Sequence, residues 1–333
     1  MRMTVFGSGS WGTALAHHAG RHGHEVMLWA LEPEVAEGLN REHRNPLYVS
    51  EHPVDEKVRA TTDLEEAAAF SDVWIWVVPV QHSRGLMERL TGSLRADVVM
   101  VSASKGLETS TMKRMDQLAW EVLNLPSSRF CALSGPTFAK EVLEGHPSAA
   151  VLACMEPAQA ERLQRELSDI HLRCYAGRDL VGVELAGALK NVIAIAAGMV
   201  DALGYGANTQ AALMTRGLHE ITRLGVRLGA DASTFRGLAG MGDLVLTCTG
   251  GLSRNRRVGQ RIGHGETLEQ VLGTMREVAE GVRTAPAAAR LAREHGIEMP
   301  ITEAVTAILA GEIEPREALK RLMTRELKPE AKL

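Results

Sequence analysis

The chain has little of what would tie it to a nucleic acid, a metal or a membrane. Only 4% of its 333 residues are aromatic, and 37 Lys and Arg against 41 Asp and Glu leave a net charge of −4. With no basic excess, a nucleic-acid partner is not expected. The five tryptophans, with Trp74 and Trp76 on one strand, read as core or cofactor-side packing, not as a base-stacking platform. Cys131, Cys154, Cys174 and Cys248 are widely separated in sequence and form no CxxC pair. That speaks against a zinc site and a disulfide framework, and it suits a reducing cytoplasm. His18 and His22 stand at i,i+4 without an evident third ligand, so they read as a surface pair and no metal is expected. A strand occupies the N-terminus, which leaves no room for a signal peptide. The apolar run Leu185–Val200 is short and interrupted by Lys190, so no integral membrane segment is expected. No low-complexity segment or clear repeat breaks the chain, whose length suits two domains with a sizeable core.

What is present begins at residue 1. Met1 to Phe6 (MRMTVF) is a short apolar run, followed by Gly7-Ser8-Gly9-Ser10-Trp11-Gly12, a helical stretch, and a second strand at Glu25 to Trp29. Strand, GxGxxG, helix and strand within about thirty residues is the context in which this motif binds a dinucleotide. Gly7 permits the tight turn, Gly9 lets backbone approach a pyrophosphate, and Gly12 lets the helix pack on the strand. Unpaired N–H groups at the helix start complement the phosphates. Glu32 follows Gly12 by twenty residues, where an acid can hold the adenine ribose hydroxyls and disfavour a 2′-phosphate. Leu31 precedes it, and no Arg or Lys occurs between Gly23 and Arg41, so the cofactor is expected to be NAD or NADP, leaning to NAD.

Strands and helices alternate through the first half. Val73–Val78 and Val98–Ser102 are continuous apolar runs of the kind covered on both faces by helices. Arg129–Leu133, Ala149–Cys154 and His171–Tyr175 are further strands, and Thr62 with Glu65 reads as a capping box opening a helix Leu64–Ala69. From Asp179 onward the pattern is helical: 179–203, 207–228, 254–263, 267–274, 281–295, 302–310 and 315–323. The expected fold class is therefore α/β, an N-terminal Rossmann-like doubly wound sheet over residues 1–178 followed by an all-helical substrate and catalytic domain over 179–333.

Lys190 is the only charge between Leu185 and Val200, with Asn191 beside it. Apolar and small residues surround the pair on every helical face, so the helix should be buried all round. An ammonium in that position needs a partner or a task, and desolvation would lower its pKa toward a usable acid. Four clusters could join it. Lys105 follows the strand Val98–Ser102, and Ser134-Gly135-Pro136-Thr137-Phe138-Ala139 follows the next, both at the carboxyl edge where such sheets bind ligands. Gly240-Met241-Gly242-Asp243 sets an acid beside a glycine hinge. Ser253-Arg254-Asn255-Arg256-Arg257 opens a helix with Ser253 as N-cap, a suitable phosphate cradle.

Taken together, GSGSWGTALA, SASKGLE, SGPTFAKEV, ELAGALKNVIAIAAG, GMGDLVLTCTG with SRNRRVG, and VAEGVRTA resemble the bacterial NAD(P)-dependent glycerol-3-phosphate dehydrogenases over essentially the whole chain. The resemblance implies reversible reduction of dihydroxyacetone phosphate to sn-glycerol 3-phosphate, which feeds glycerophospholipid synthesis. It implies Lys190 as proton carrier, Lys105 in contact with substrate and cofactor, and Gly135, Thr137, Asp243, Ser253, Arg254 and Asn255 in the substrate site. Asn191 and Thr247 would support that site. Ser10, Trp11, Ala139, Arg254, Val278 and Glu280 would lie near the dinucleotide. A homodimer in the cytoplasm is the family expectation. Many members carry a basic residue at or beside position 31, and Leu31-Glu32 departs from that. Two alternatives stand beside it: a hydroxyacid or ketopantoate-type reductase, which would not obviously need the Ser253–Arg257 cradle, and a non-catalytic dinucleotide sensor, which leaves Lys190 without a purpose.

Overall fold

The computed structural model describes residues 1–275, 278–327 and 329–330. Eight strands form one sheet: β1 (Arg2–Phe6), β2 (Glu25–Trp29), β3 (Val58–Thr61), β4 (Val73–Trp76), β5 (Val99–Ser102), β6 (Phe130–Ser134), β7 (Ser148–Cys154) and β8 (Leu172–Gly177). Their order is β3-β2-β1-β4-β5-β6-β7-β8. The first six run parallel in the doubly wound order, and β7 turns antiparallel to β6. Every residue of β4 and β5 is buried, as their unbroken apolar sequence requires of strands covered on both faces. Met3, Val5, Val26, Leu28, Val73, Ile75, Val99 and Val101 belong to one buried cluster. On the alternate positions, Phe6 packs against Trp74 and Trp76 with ring centroids 5.1 and 5.2 Å apart.

The chain divides into two compact units, Met1–Ser104 with Arg114–Val183, and Lys105–Lys113 with Glu184–Leu333. Among the described residues the second unit has helices and no strand. The helix Leu180–Ala202, which begins in the first unit and lies mostly in the second, is long and apolar enough to cross a membrane, yet 89% of its most apolar window is buried within the protein.

Several local readings change. β3 is an additional strand, too short and too mixed in sequence (VRAT) to stand out. The helix Leu64–Phe70 starts one residue later than a Thr62 cap would give: Asp63 is the N-cap, and its Oδ1 accepts from the N–H groups of Glu65 (2.9 Å) and Glu66 (3.1 Å). The glycines before Asp243 form no hinge. A π-helical turn, Leu238–Gly242, runs directly into a helix Asp243–Thr249. His18 is not a surface residue; it is fully buried, with Nε2 2.8 Å from the Leu167 carbonyl. Trp120 is 58% exposed, unlike Trp74 and Trp76, which are wholly buried. Cys131 and Cys154, distant in sequence, are register partners across β6 and β7.

Candidate active site

In the second unit, a charged network is built on Lys190 in the middle of helix Leu180–Ala202. Lys190 Nζ donates to Asp243 Oδ1 (2.5 Å) and to Thr247 Oγ1 (2.6 Å). Lys105 Nζ donates to the other Asp243 oxygen (2.7 Å). Thr247 Oγ1 in turn donates to the Asp243 carbonyl (2.6 Å), one turn earlier on the helix Asp243–Thr249. One carboxylate thus bridges two ammonium groups, and a hydroxyl steadies the more buried of them. Lys190, Asp243 and Thr247 are each at most 6% exposed. The π-helical turn widens the backbone just before Asp243, an irregularity that recurs at functional sites.

The electrostatics follow from burial and these neighbours. Desolvation, the largest influence, pulls Lys190 down to about 8; Asp243 opposes that and Lys105 adds to it. Burial alone would raise Asp243, but Lys105 and Lys190 outweigh it and hold the carboxyl below its usual value. Lys190 and Asp243 therefore stay charged at neutral pH, with Lys190 close to titration.

A second polar network starts at the next residue. Asn255 Nδ2 donates to Asn191 Oδ1 (3.0 Å), and the Gly281 N–H donates to Asn255 Oδ1 (2.9 Å). Ser253 caps the helix Arg254–Gly263 by accepting from the Arg256 N–H (3.2 Å), which presents Arg254 and Asn255 at the positive end of that helix. Arg254 is half-buried, Val278 is 44% exposed, and Glu280 opens the helix Glu280–Glu294.

In the first unit the glycine turn joins β1 to the helix Ser10–Arg21. Gly7 has φ +110°, and a Cβ on Gly12 would lie 1.9 Å from the Gly7 carbonyl oxygen, so the turn and the helix approach both require glycine. A Cβ on Gly9 would meet nothing within 4 Å, so the backbone is open to a ligand there. Trp11 Nε1 is buried without a hydrogen-bond partner among the described residues. An open glycine backbone, a helix N-terminus and an unspent donor fit a dinucleotide pyrophosphate. Glu32 accepts from Ser8 Oγ (3.2 Å) and Tyr48 OH (2.8 Å), and buried Asn45 donates to the Ser8 carbonyl (2.7 Å). Gly135, just past the end of β6, lies so close to β7 that a Cβ would lie 2.7 Å from Ala150 Cα; Thr137 Oγ1 donates to the Gly135 carbonyl (3.2 Å), and Ala139 opens the helix Ala139–Leu143.

The structure thus joins Lys105, Lys190, Asp243 and Thr247 in one network, and Asn191 and Asn255 in another. Gly135, Thr137 and Ala139 belong to the first unit. Three residues escaped the sequence reading. Asn45 and Tyr48 lie in a segment without periodicity, where the Asn45-Pro46 dipeptide marks only a turn. Gly281 lies inside VAEGVRTA, a segment visible in the sequence without a role for its glycine. Among the described residues no cluster of His, Cys, Asp or Glu could hold a metal ion.

Comparison with known proteins agrees with this geometry. The sequence pattern described as the N-terminus of NAD-dependent glycerol-3-phosphate dehydrogenase matches residues 2–160, and that of its C-terminus matches 179–320. A glycerol-3-phosphate dehydrogenase, NAD(P)+, from Geobacter sulfurreducens is 51% identical over 330 residues, covering 99% of this chain and 98% of its own. One from Nitratidesulfovibrio vulgaris is 48% identical over 330 residues, covering 99% and 100%. The crystal structure of glycerol-3-phosphate dehydrogenase from Coxiella burnetii superposes with a TM-score of 0.93 at 34% identity, covering 97% of this chain and 99% of that one.

Proposed function

The chain belongs to the NAD-dependent glycerol-3-phosphate dehydrogenases, and on that premise we propose that it reduces dihydroxyacetone phosphate reversibly to sn-glycerol 3-phosphate, for glycerophospholipid synthesis. The observation that carries this reading is the buried Lys190, near titration in a helix that is otherwise apolar, ion-paired to buried Asp243, which Lys105 shares.

Gly7, Gly9 and Gly12 with Ser10 and Trp11 would hold NAD or NADP, which would supply the hydride. The protein supplies orientation, electrostatics and the proton. As the ketone accepts hydride, negative charge grows on its oxygen; the Lys190 ammonium stabilises that charge and gives up the proton from Nζ. Asp243 keeps Lys190 protonated until it is needed, because a carboxylate 2.5 Å away favours the ammonium. Thr247 aims Nζ, and Lys105 shares the carboxylate; the family resemblance assigns Lys105 to substrate and cofactor as well. Arg254 and Asn255, at a capped helix start with Ser253, hold the phosphate. The family resemblance assigns Gly135 and Thr137 to the substrate, and Ala139, Val278 and Glu280 to the dinucleotide. Glu32 takes the adenine ribose and tilts preference to NAD. The four cysteines are all free thiols, which suits a cytoplasmic enzyme, and the family likeness supports a homodimer. Loss of NADH absorbance on adding dihydroxyacetone phosphate tests the proposal; its absence, with turnover on a ketoacid such as ketopantoate instead, would replace it.

A further inference from the structure

Helix Glu280–Glu294 begins with no side chain of its own capping its N-terminus. The exposed donors of a first turn need acceptors. Gly281, the second residue of that helix, finds its acceptor on a different helix, at Asn255 Oδ1 (2.9 Å). A backbone N–H can only donate, so this contact decides which end of the Asn255 amide is oxygen. The nitrogen end then faces Asn191 Oδ1 at 3.0 Å, and Asn191 Nδ2 is left facing its own helix, 3.4 Å from the Gly187 carbonyl. Each amide nitrogen carries two protons, and each has one committed in this chain of contacts. One N–H on each amide therefore remains to be offered to an oxygen. Had the Asn255 amide been turned the other way, the pair would offer carbonyl oxygens, which repel an oxyanion.

Only glycine permits the arrangement. A Cβ at 281 would lie 2.6 Å from the Asn191 carbonyl oxygen and 2.8 Å from Asn255 Oδ1. The first is backbone, fixed in the helix Leu180–Ala202, and Asn255 is buried at 8% exposure, so neither can move aside. We infer that Gly281 is a positioning residue of the substrate site: its N–H sets the polarity of the Asn255–Asn191 amide pair, which thereby presents donors to the phosphate of the ketone substrate. This rests on the proposed reduction of dihydroxyacetone phosphate.

A double-mutant cycle on the full-length enzyme tests it, with Gly281→Ala, Asn255→Ala and the two combined. Steady-state KM and kcat are measured with dihydroxyacetone phosphate and with unphosphorylated dihydroxyacetone, and NADH affinity by fluorescence titration. Gly281→Ala should raise KM for the phosphorylated ketone at least tenfold, leave NADH affinity within twofold, and change kcat/KM for dihydroxyacetone less than threefold. In the Asn255→Ala background the same glycine change should add less than twofold, because there is no longer an amide to orient. Additive effects, or equal losses on both ketones, would make Gly281 a packing residue and overturn the inference. If Gly281→Ala does not fold, Asn255→Asp decides: its carboxylate still accepts from the Gly281 N–H but offers no donor, so a KM rise of at least tenfold confined to the phosphorylated ketone supports the inference, and an unchanged KM overturns it. A wild-type chain that turns over no dihydroxyacetone phosphate would overturn the underlying function itself. A wild type that turns it over beside a Gly281→Ala enzyme of unchanged KM would overturn this inference alone.

Discussion

Lys190 holds its proton by a balance between burial and a single carboxylate, and that balance sets how the reaction should respond to pH. With Lys190 at about 8, the ammonium is the dominant form below that value and the amine above it. Reduction needs the proton donor, so kcat for ketone reduction should be level below pH 8 and fall above it. Oxidation needs the acceptor, so kcat in that direction should rise through the same pH. Equal slopes of the same sign in both directions would remove Lys190 from the proton path. Stability is linked in the same way. An unfolded lysine keeps its ordinary value of 10.5, so between about 8 and 10.5 the unfolded chain holds a proton that the native state has released. Stability from this group should therefore rise with pH across that window; burying the ammonium is a cost at neutrality that the site bears for its chemistry. Arg254 yields a separate prediction. Arg254→Ala should weaken binding of dihydroxyacetone phosphate, by roughly tenfold or more for loss of a charge-assisted contact of about 1.5–3 kcal/mol. Dihydroxyacetone, which has no phosphate, should be affected far less. Equal effects on the two ketones would show that Arg254 does not anchor the phosphate.

At the scale of elements, the helices of the second unit are tied by buried polar contacts as well as by apolar packing. Glu220, buried on the helix Ala207–Arg227, accepts from the N–H groups of Ile301 (2.7 Å) and Thr302 (3.2 Å) and from Thr302 Oγ1 (3.2 Å). It thus caps the N-terminus of the helix Pro300–Leu309 from outside, where a carboxylate also meets the positive helix end. Burial pushes its carboxyl up to about 7 against those three donors. Glu220→Ala would leave buried donors unsatisfied, at about 2–4 kcal/mol, and should lower Tm while dihydroxyacetone phosphate reduction at 20 °C persists; an unchanged Tm would contradict the capping role. The β2 end carries the cofactor prediction. Leu31 is 69% exposed, and Glu32 is held by Ser8 and Tyr48 at the start of the next helix. NADH should be used at least as efficiently as NADPH by kcat/KM at low salt, and Leu31→Arg with Glu32→Ser should shift preference toward NADPH. A wild-type preference for NADPH of tenfold, about 1.4 kcal/mol, would mean that another residue dominates that pocket.

For the whole molecule, the parts that were legible in sequence are those with a strong local period or a steric signature. The unbroken apolar strands β4 and β5, the glycine turn and the single charge of helix Leu180–Ala202 are of that kind, and Lys190 did prove buried and partnered. Illegible were features created by tertiary contact. Nothing local marks Val58–Thr61 as a strand, His18 as buried, or Gly281 as the partner of Asn255 across 26 residues. The Asp243 helix was hidden because its glycines imitate a turn, while the packed π-helical segment overrides their local preference. The most direct test of the account is single-turnover reduction of dihydroxyacetone phosphate by the NADH-loaded enzyme at pH 7, comparing wild type with Lys190→Met. The account predicts that Lys190→Met folds and binds NADH as wild type does, while hydride transfer slows at least about 100-fold, the usual size for one proton-transfer or electrostatic group. A folded, NADH-bound Lys190→Met enzyme that transfers hydride within a few fold of the wild-type rate would contradict it.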